Sequence, residues 1–203
     1  MQTPFGLIRL LAQPASDVWH ARTSVELSAV EPRCTATVRL NAAGLRSGDI
    51  AGLALFSAMA LAPDHRGSGL SDANAAFGAH FTGRTTRPCA WLGVERGRDG
   101  FTLIQFVEHG GRTDRVPLSD RPVWLRAECD FVRNRVGFCC SADGTAYAGI
   151  GEPHPMGDRP GAALVMWCSL FSRAARGHAE GGHADFDSLL LTTQRARRQA
   201  RKR

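Results

Sequence analysis

No run of apolar residues in this sequence approaches the roughly 18 to 20 needed to cross a bilayer as a helix, so a helical membrane span is excluded. Met1 to Pro14 does not read as a secretory leader either, because it has no basic opening region and Arg9 interrupts its only apolar stretch. The expected setting is therefore a reducing cytoplasm. There is no C-x-x-C pair and no H-x-x-x-H partner, so the six cysteines do not spell a zinc site. Cys34, Cys89, Cys129, Cys139, Cys140 and Cys168 are expected to be mostly small core residues, as free cysteines usually are. A P-loop, a G-x-S-x-G turn and a Rossmann glycine fingerprint are all absent, which leaves nucleotide and acyl-transfer chemistry without support. No cofactor or metal is expected.

A chain of 203 residues with 43% hydrophobic content is long enough for one well-packed domain and short for two. The net charge of +6 suggests an anionic partner until its position is considered. Arg195, Arg197, Arg198, Arg201, Lys202 and Arg203 lie at the end, and the remaining 19 basic residues face 19 acidic ones. A short basic end can bind phosphates by counterion release, but it is more often a solvated, disordered terminus. Residues 192–203 are read as such a tail, and nucleic acid is not an expected partner.

Glycine (22) and proline (10) are frequent and fall between short apolar runs, the pattern of many turns joining many strands. The clearest strand is Val123 to Phe131. There Val123, Leu125, Ala127, Cys129 and Phe131 share one face, and Trp124, Arg126, Glu128 and Asp130 the other. A turn at Arg133-Asn134, a strand from Arg135 to Ser141 and a turn at Asp143-Gly144 complete a meander. The same grammar predicts strands at Cys34–Leu40, Ile50–Phe56, Trp91–Arg96, Phe101–Glu108, Thr113–Leu118, Ala163–Phe171 and Ala184–Leu191. Some nine or ten strands without a convincing helix imply an all-β sandwich or barrel. The reading is one domain over residues 1–191, with an irregular insertion at about 57–88 that is too long for a hairpin loop.

Several strings, in this order, resemble the C-terminal β-sandwich of family 43 glycoside hydrolases of the β-xylosidase and α-arabinofuranosidase type. They are Leu7-Ile-Arg-Leu10 with Trp19-His-Ala-Arg22, Gly48-Asp-Ile-Ala-Gly-Leu-Ala-Leu-Phe56, Ala90-Trp-Leu-Gly-Val94 and Val123-Trp-Leu-Arg126. Ser141-Ala-Asp-Gly144 with Gly151-Glu-Pro153, and Gly181-Gly-His-Ala-Asp-Phe-Asp187, follow. The resemblance implies a two-sheet antiparallel sandwich, a concanavalin A-like jelly roll. It also implies a preceding five-bladed propeller that carries the catalytic carboxylates and on which the sandwich packs. The expected function is thus an accessory, noncatalytic module in the metabolism of xylan-derived oligosaccharides, partnered with such a propeller or a like chain. Family members have a stretch of chain before the segment matching Leu7 to Leu10. The expectation here is a sandwich that lacks its first strand or was cut from a longer gene; an absent strand would leave an unpaired edge. The pocket-closing loop of the family tends to present an aromatic residue, and Met156 to Pro160, the segment aligned with it, has none. No pocket residue is carried over.

Two rival readings place chemistry or binding in the chain itself. A standalone glycosidase needs paired carboxylates on one strand face, one to protonate the leaving group and one to attack or activate water. Glu128 and Asp130 share a face, but the third acid of the E-x-D-x-x-E pattern would fall at Arg133. Solvent-facing strand residues beside Arg126 explain both acids. An independent lectin-like module that binds an oligosaccharide would use aromatic faces. Of Trp19, Trp91, Trp124 and Trp167, only Trp124 is assigned to a face away from the core, as a partner or sugar contact. Among His20, His65, His80, His109, His154, His178 and His183, the last two lie near Asp185 and Asp187. That glycine-rich spacing offers no fixed frame for a metal, and turn or surface histidines account for all seven.

Overall fold

The computed structural model describes residues 6–18, 21, 23–29, 33–57, 89–107, 112–119, 121–155, 166–174 and 181–194. In chain order the strands are β1 (Ile8–Leu11), β2 (Gln13–Pro14), β3 (Thr23–Ala29), β4 (Arg33–Asn41), β5 (Ile50–Ser57), β6 (Cys89–Arg96) and β7 (Phe101–Val107). They continue with β8 (Arg112–Leu118), β9 (Val123–Asp130), β10 (Arg135–Ser141), β11 (Ala148–Pro155), β12 (Met166–Ala174) and β13 (His183–Gln194). No α-helix occurs among the described residues.

The strands form two sheets. Sheet I has the order β1-β13-β4-β9-β10-β11; sheet II has the order β2-β12-β5-β6-β7-β8, with β3 also on β12. Pairing is antiparallel throughout except for the short parallel contact of β2 with β12. Alternation explains how the sheets face each other: Ala36, Val38 and Leu40 of β4 and Leu125 and Ala127 of β9 point inward from sheet I. They meet Leu53 and Leu55 of β5, Leu92 and Val94 of β6 and Leu103 of β7 in one continuous core. The expected all-β sandwich is the observed fold.

Some elements differ from the expectation. β3 and β11 escape the pattern, and β12 continues three residues past the end of the Ala163–Phe171 run, whose first three residues lie outside the described ones. β11, Ala-Gly-Ile-Gly-Glu-Pro-His-Pro, buries only Ile150 firmly and is an edge strand where glycine and proline are tolerated. In β13 the register slips between Asp187 and Leu190 around Ser188, whose φ is 53°. This bulge lets Phe186 and Leu189 both point inward although they are three apart. β13 runs to Gln194, beyond the start of the segment read as tail. The 57–88 insertion beyond Ser57 and before Cys89, the Met156–Pro160 segment and the six basic residues from Arg195 lie outside the described residues.

One end of the sandwich is tied by a buried carboxylate. Asp49, 0% exposed, accepts N–H bonds from Gly182 at 2.6 Å and Arg46 at 2.8 Å. Around it His183 N–H donates to Gly44 O at 2.9 Å, Gly48 N–H to Arg96 O at 2.7 Å and Gly181 N–H to Ala12 O at 3.0 Å. Two of the strings singled out in the sequence, one opening at Gly48 and one at Gly181, thus meet at this knot. No added Cβ would fit at Gly182, where the Gly44 carbonyl lies against it.

Candidate functional site

The outer face of sheet I carries Trp124, Arg126, Glu128 and Asp130, as their alternation along β9 requires. β9 is flanked by β4 and β10, so Asp130 stands between Arg33 and Arg135, and Glu128 between Thr35 and Gly137. The Asp130 carboxylate is engaged on both oxygens. Oδ1 accepts the Arg133 N–H at 3.0 Å, and Oδ2 lies 3.2 Å from Arg33 Nε and 4.0 Å from Arg133 Nε. Glu128 Oε1 is 3.9 Å from Arg126, which also donates to Thr37 Oγ1 at 3.2 Å and lies 3.3 Å over the Tyr147 ring. These acids sit in a broad, shallow depression rimmed by Arg33, Arg133 and Arg135. Asp130, bonded to Arg33 and Arg133 on both oxygens, is not free to attack a sugar or to activate water, the roles that glycoside cleavage asks of a second carboxyl.

Trp124 is half-buried at the other end of the same strand, between Arg39 and Ser141 in register. The chain itself folds over it: a Cβ at Gly144, whose φ is 78°, would approach the indole to 2.7 Å. That turn is built by Asp143, whose carboxylate accepts N–H bonds from Thr145 at 2.8 Å and Ala146 at 3.1 Å and the Ser141 hydroxyl at 2.8 Å. These bonds hold Asp143 well below the usual carboxylate range.

The remaining candidates are placed as follows. His183 packs its ring on Gly44, Asp185 takes the Arg9 guanidinium in two bonds of 2.7 and 2.8 Å, and Asp187 pairs with Arg39 at 2.9 Å. His154 stacks on Phe138 between the sheets, and burial pushes its imidazole down to about 4. No group of three or more metal-binding side chains occurs among the described residues. Trp19, His20, His65, His80, His109 and His178 fall outside them, and for Trp167 the backbone alone is described, in β12.

A different site lies on the outer face of sheet II, and the sequence reading missed it. An outer sheet face is ordinarily polar, yet here Ile50, Ala54, Trp91, Ile104 and Phe171 form a second apolar cluster under Val18. Trp91 is only 6% exposed; it stacks on Phe106 at 5.4 Å and meets Phe171 edge-on at 5.7 Å. Beside this floor, a cleft of about 290 Å³ is bordered by Glu95, Arg115 and Arg173. Arg115 Nη1 donates to Glu95 Oε2 at 2.8 Å. Two signals were available in the sequence: Trp91-Leu-Gly-Val-Glu95 and Phe101-Thr-Leu-Ile-Gln-Phe106 put large apolar residues on both faces of adjacent strands.

No protein-family model matches this sequence, and no curated protein does. Solved structures do match by shape. A bifunctional GH43-CE protein of Bacteroides eggerthii gives a TM-score of 0.69 at 23% identity, covering 94% of this chain and 21% of that one. The GH43 protein BlXynB of Bacillus licheniformis gives 0.64 at 14% identity, covering 93% of this chain and 33% of that one. A functionally unknown protein of Saccharomyces cerevisiae gives 0.53 at 14% identity, covering 97% of this chain and 96% of that one. This chain therefore has the fold of a β-sandwich domain that makes up between about a fifth and a third of those glycoside hydrolase family 43 chains.

Proposed function

We propose that this chain is an accessory, noncatalytic β-sandwich module of the family 43 glycoside hydrolase type, which serves a catalytic propeller by packing against it. The observation that carries the reading is the match of nearly the whole chain to one part of several GH43 chains that are three to five times longer. The ordered strings from Leu7 to Asp187 point the same way. The engagement of Asp130 by Arg33 and Arg133 fits a structural role for those acids. In this reading Trp124, on the outer face of sheet I, is the side chain we assign to the partner.

Hydrolysis of aryl β-xyloside and aryl α-arabinofuranoside by the purified chain tests the noncatalytic part, with Glu128→Gln and Asp130→Asn as controls. The expected result is no turnover in any form. Turnover that disappears in either variant would make those residues the active site and end the proposal.

One observation favours a second reading, an independent carbohydrate-binding module. The Saccharomyces cerevisiae chain is almost entirely covered by this fold, so the sandwich also exists without a propeller in the same chain. Titration with xylo-oligosaccharides separates the readings: saturable binding by the isolated chain supports the second, and its absence leaves the first.

A further inference from the structure

Arg173, on the outer face of sheet II, is a half-buried cation with little direct hydrogen bonding. It lies near the end of β12, opposite Ile50 of β5, and lines the cleft beside Trp91 and Phe106. Among the described residues its one side-chain hydrogen bond is from Nη1 to the Ala15 carbonyl, a long 3.4 Å, and its Nε is buried with no acceptor. Burial lowers its pKa, against the weaker opposing pull of Asp17 and Glu95. A guanidinium has five donors in a fork that matches a carboxylate. Arg115 across the cleft has such a partner in Glu95 at 2.8 Å; Arg173 has no ion-pair partner among the described residues.

We propose that this cleft binds a uronic-acid sugar, with the ring against the Phe106 and Trp91 edges and the carboxylate on Arg173. A volume of about 290 Å³ is at the small end of ligand pockets and suits one sugar ring rather than a chain. Apolar ring edges on one side and planar charged groups on the other match the two aspects of a pyranose, its C–H face and its hydroxyls. The nearby carboxylates of Glu95 and Asp17 set the charge of the ligand. The lining carries two acids, Asp17 and Glu95, and two arginines, Arg115 and Arg173, so a monoanion adds one negative charge to a neutral cleft where a phosphate would add two. The choice of a sugar rests on the carbohydrate reading above; the site itself rests on Arg173.

The test is calorimetric titration of the full chain with methyl β-D-glucuronide, with methyl β-D-glucoside as the neutral ring of the same shape and acetate as the carboxylate without a ring. The glucuronide is expected to bind saturably and more tightly than either control by on the order of tenfold or more, the worth of a charge-assisted hydrogen bond. Arg173→Gln is expected to lose that margin while melting at or above the wild-type temperature, because it removes a desolvated cation. Phe106→Leu is expected to weaken glucuronide and leave acetate unchanged. Equal binding of glucoside and glucuronide would overturn the carboxylate assignment yet keep a sugar-binding module. Unaltered binding by Arg173→Gln, or no saturable glucuronide binding, would overturn the site and leave the accessory-module reading to the hydrolysis assay.

Discussion

Replacing Asp49 by alanine should cost this protein a large share of its stability. The carboxylate is completely buried and receives the Gly182 N–H at 2.6 Å and the Arg46 N–H at 2.8 Å. Hydrogen bonds to a charged group contribute about 1.5–3 kcal/mol each, and a donor left buried without a partner costs about 1–3 kcal/mol. Two bonds would give about 3–6 kcal/mol. One correction runs the other way: Oδ1 of Asp49 is buried with no partner, so deleting the carboxylate also relieves a desolvated atom. A net loss of about 3 kcal/mol is the expected value, out of a total of about 5–15 kcal/mol for a typical domain.

For a chain of this length, 1 kcal/mol moves the melting temperature by about 2–4 °C, so Asp49→Ala should melt about 6–12 °C lower. Asp49→Asn keeps a carbonyl oxygen for the same two donors but loses the charge and places an NH2 where Oδ1 is buried without a partner, so a smaller loss of about 1–2 kcal/mol is expected. Urea unfolding followed by circular dichroism reads both variants on one scale. If Asp49→Ala falls within about 0.5 kcal/mol of the wild type, or if the two variants are equal, the knot joining the Gly48 and Gly181 strings is not what holds this end closed.

The remaining predictions concern single groups. Burial holds the His154 imidazole at about 4 against an unfolded value near 6.5, so between those values the unfolded chain binds a proton that the folded chain does not. Stability should therefore fall as pH drops from about 6.5 to 4 and level off below. The contribution is about 2 kcal/mol after allowance for partial exposure, and His154→Gln should remove that slope; parallel pH profiles of the two proteins would refute it. Gly144→Ala puts a methyl group into the Trp124 ring at a φ of 78°, and should cost about 1–2 kcal/mol by urea titration with a change in tryptophan emission. A hydrogen bond with Cys34, and then burial, raises the Cys129 thiol, and burial raises that of Cys168; burial also raises Cys139 and Cys140, but these two are only half-buried. An aromatic disulfide reagent at pH 8 should modify Cys139 and Cys140 before unfolding and Cys129 and Cys168 only with it; early labelling of Cys168 would contradict the packing.

What could be read in advance depended on how strictly one face was buried. β9 lies in the middle of its sheet with a core on one side and water on the other, so its alternation is regular and its face assignment is observed. β11 sits at an edge with one firmly buried residue, and its glycines and prolines carry no period to read. The β13 bulge at Ser188 breaks the alternation locally, and the sequence offers no mark of it beyond three consecutive leucines. The Asp49 knot was visible only as two separate strings, because the carboxylate and the Gly182 N–H are 133 positions apart in the sequence. Nor could spacing show that Asp130 is held by Arg33, which arrives from another strand.

The two outer faces of the sandwich differ in a way that bears on where function lies. On sheet I the charges answer one another: Arg39 with Asp187, Arg33 with Asp130, Arg9 with Asp185. Such exposed pairs contribute little to stability, but they leave each named partner satisfied without a ligand. On sheet II the strands present Trp91, Ile104 and Phe171 on the side that should face water, and Arg173 beside them has one long hydrogen bond. A sandwich needs no second apolar cluster to fold, since its core already joins both sheets. Val18 and Ala21 pack on this cluster, while Phe106 and Arg173 line the cleft at its side, and departures from local consistency of that kind concentrate at sites kept for binding. The effort of finding a ligand therefore belongs on sheet II, and the effort of finding a protein partner on the Trp124 end of sheet I.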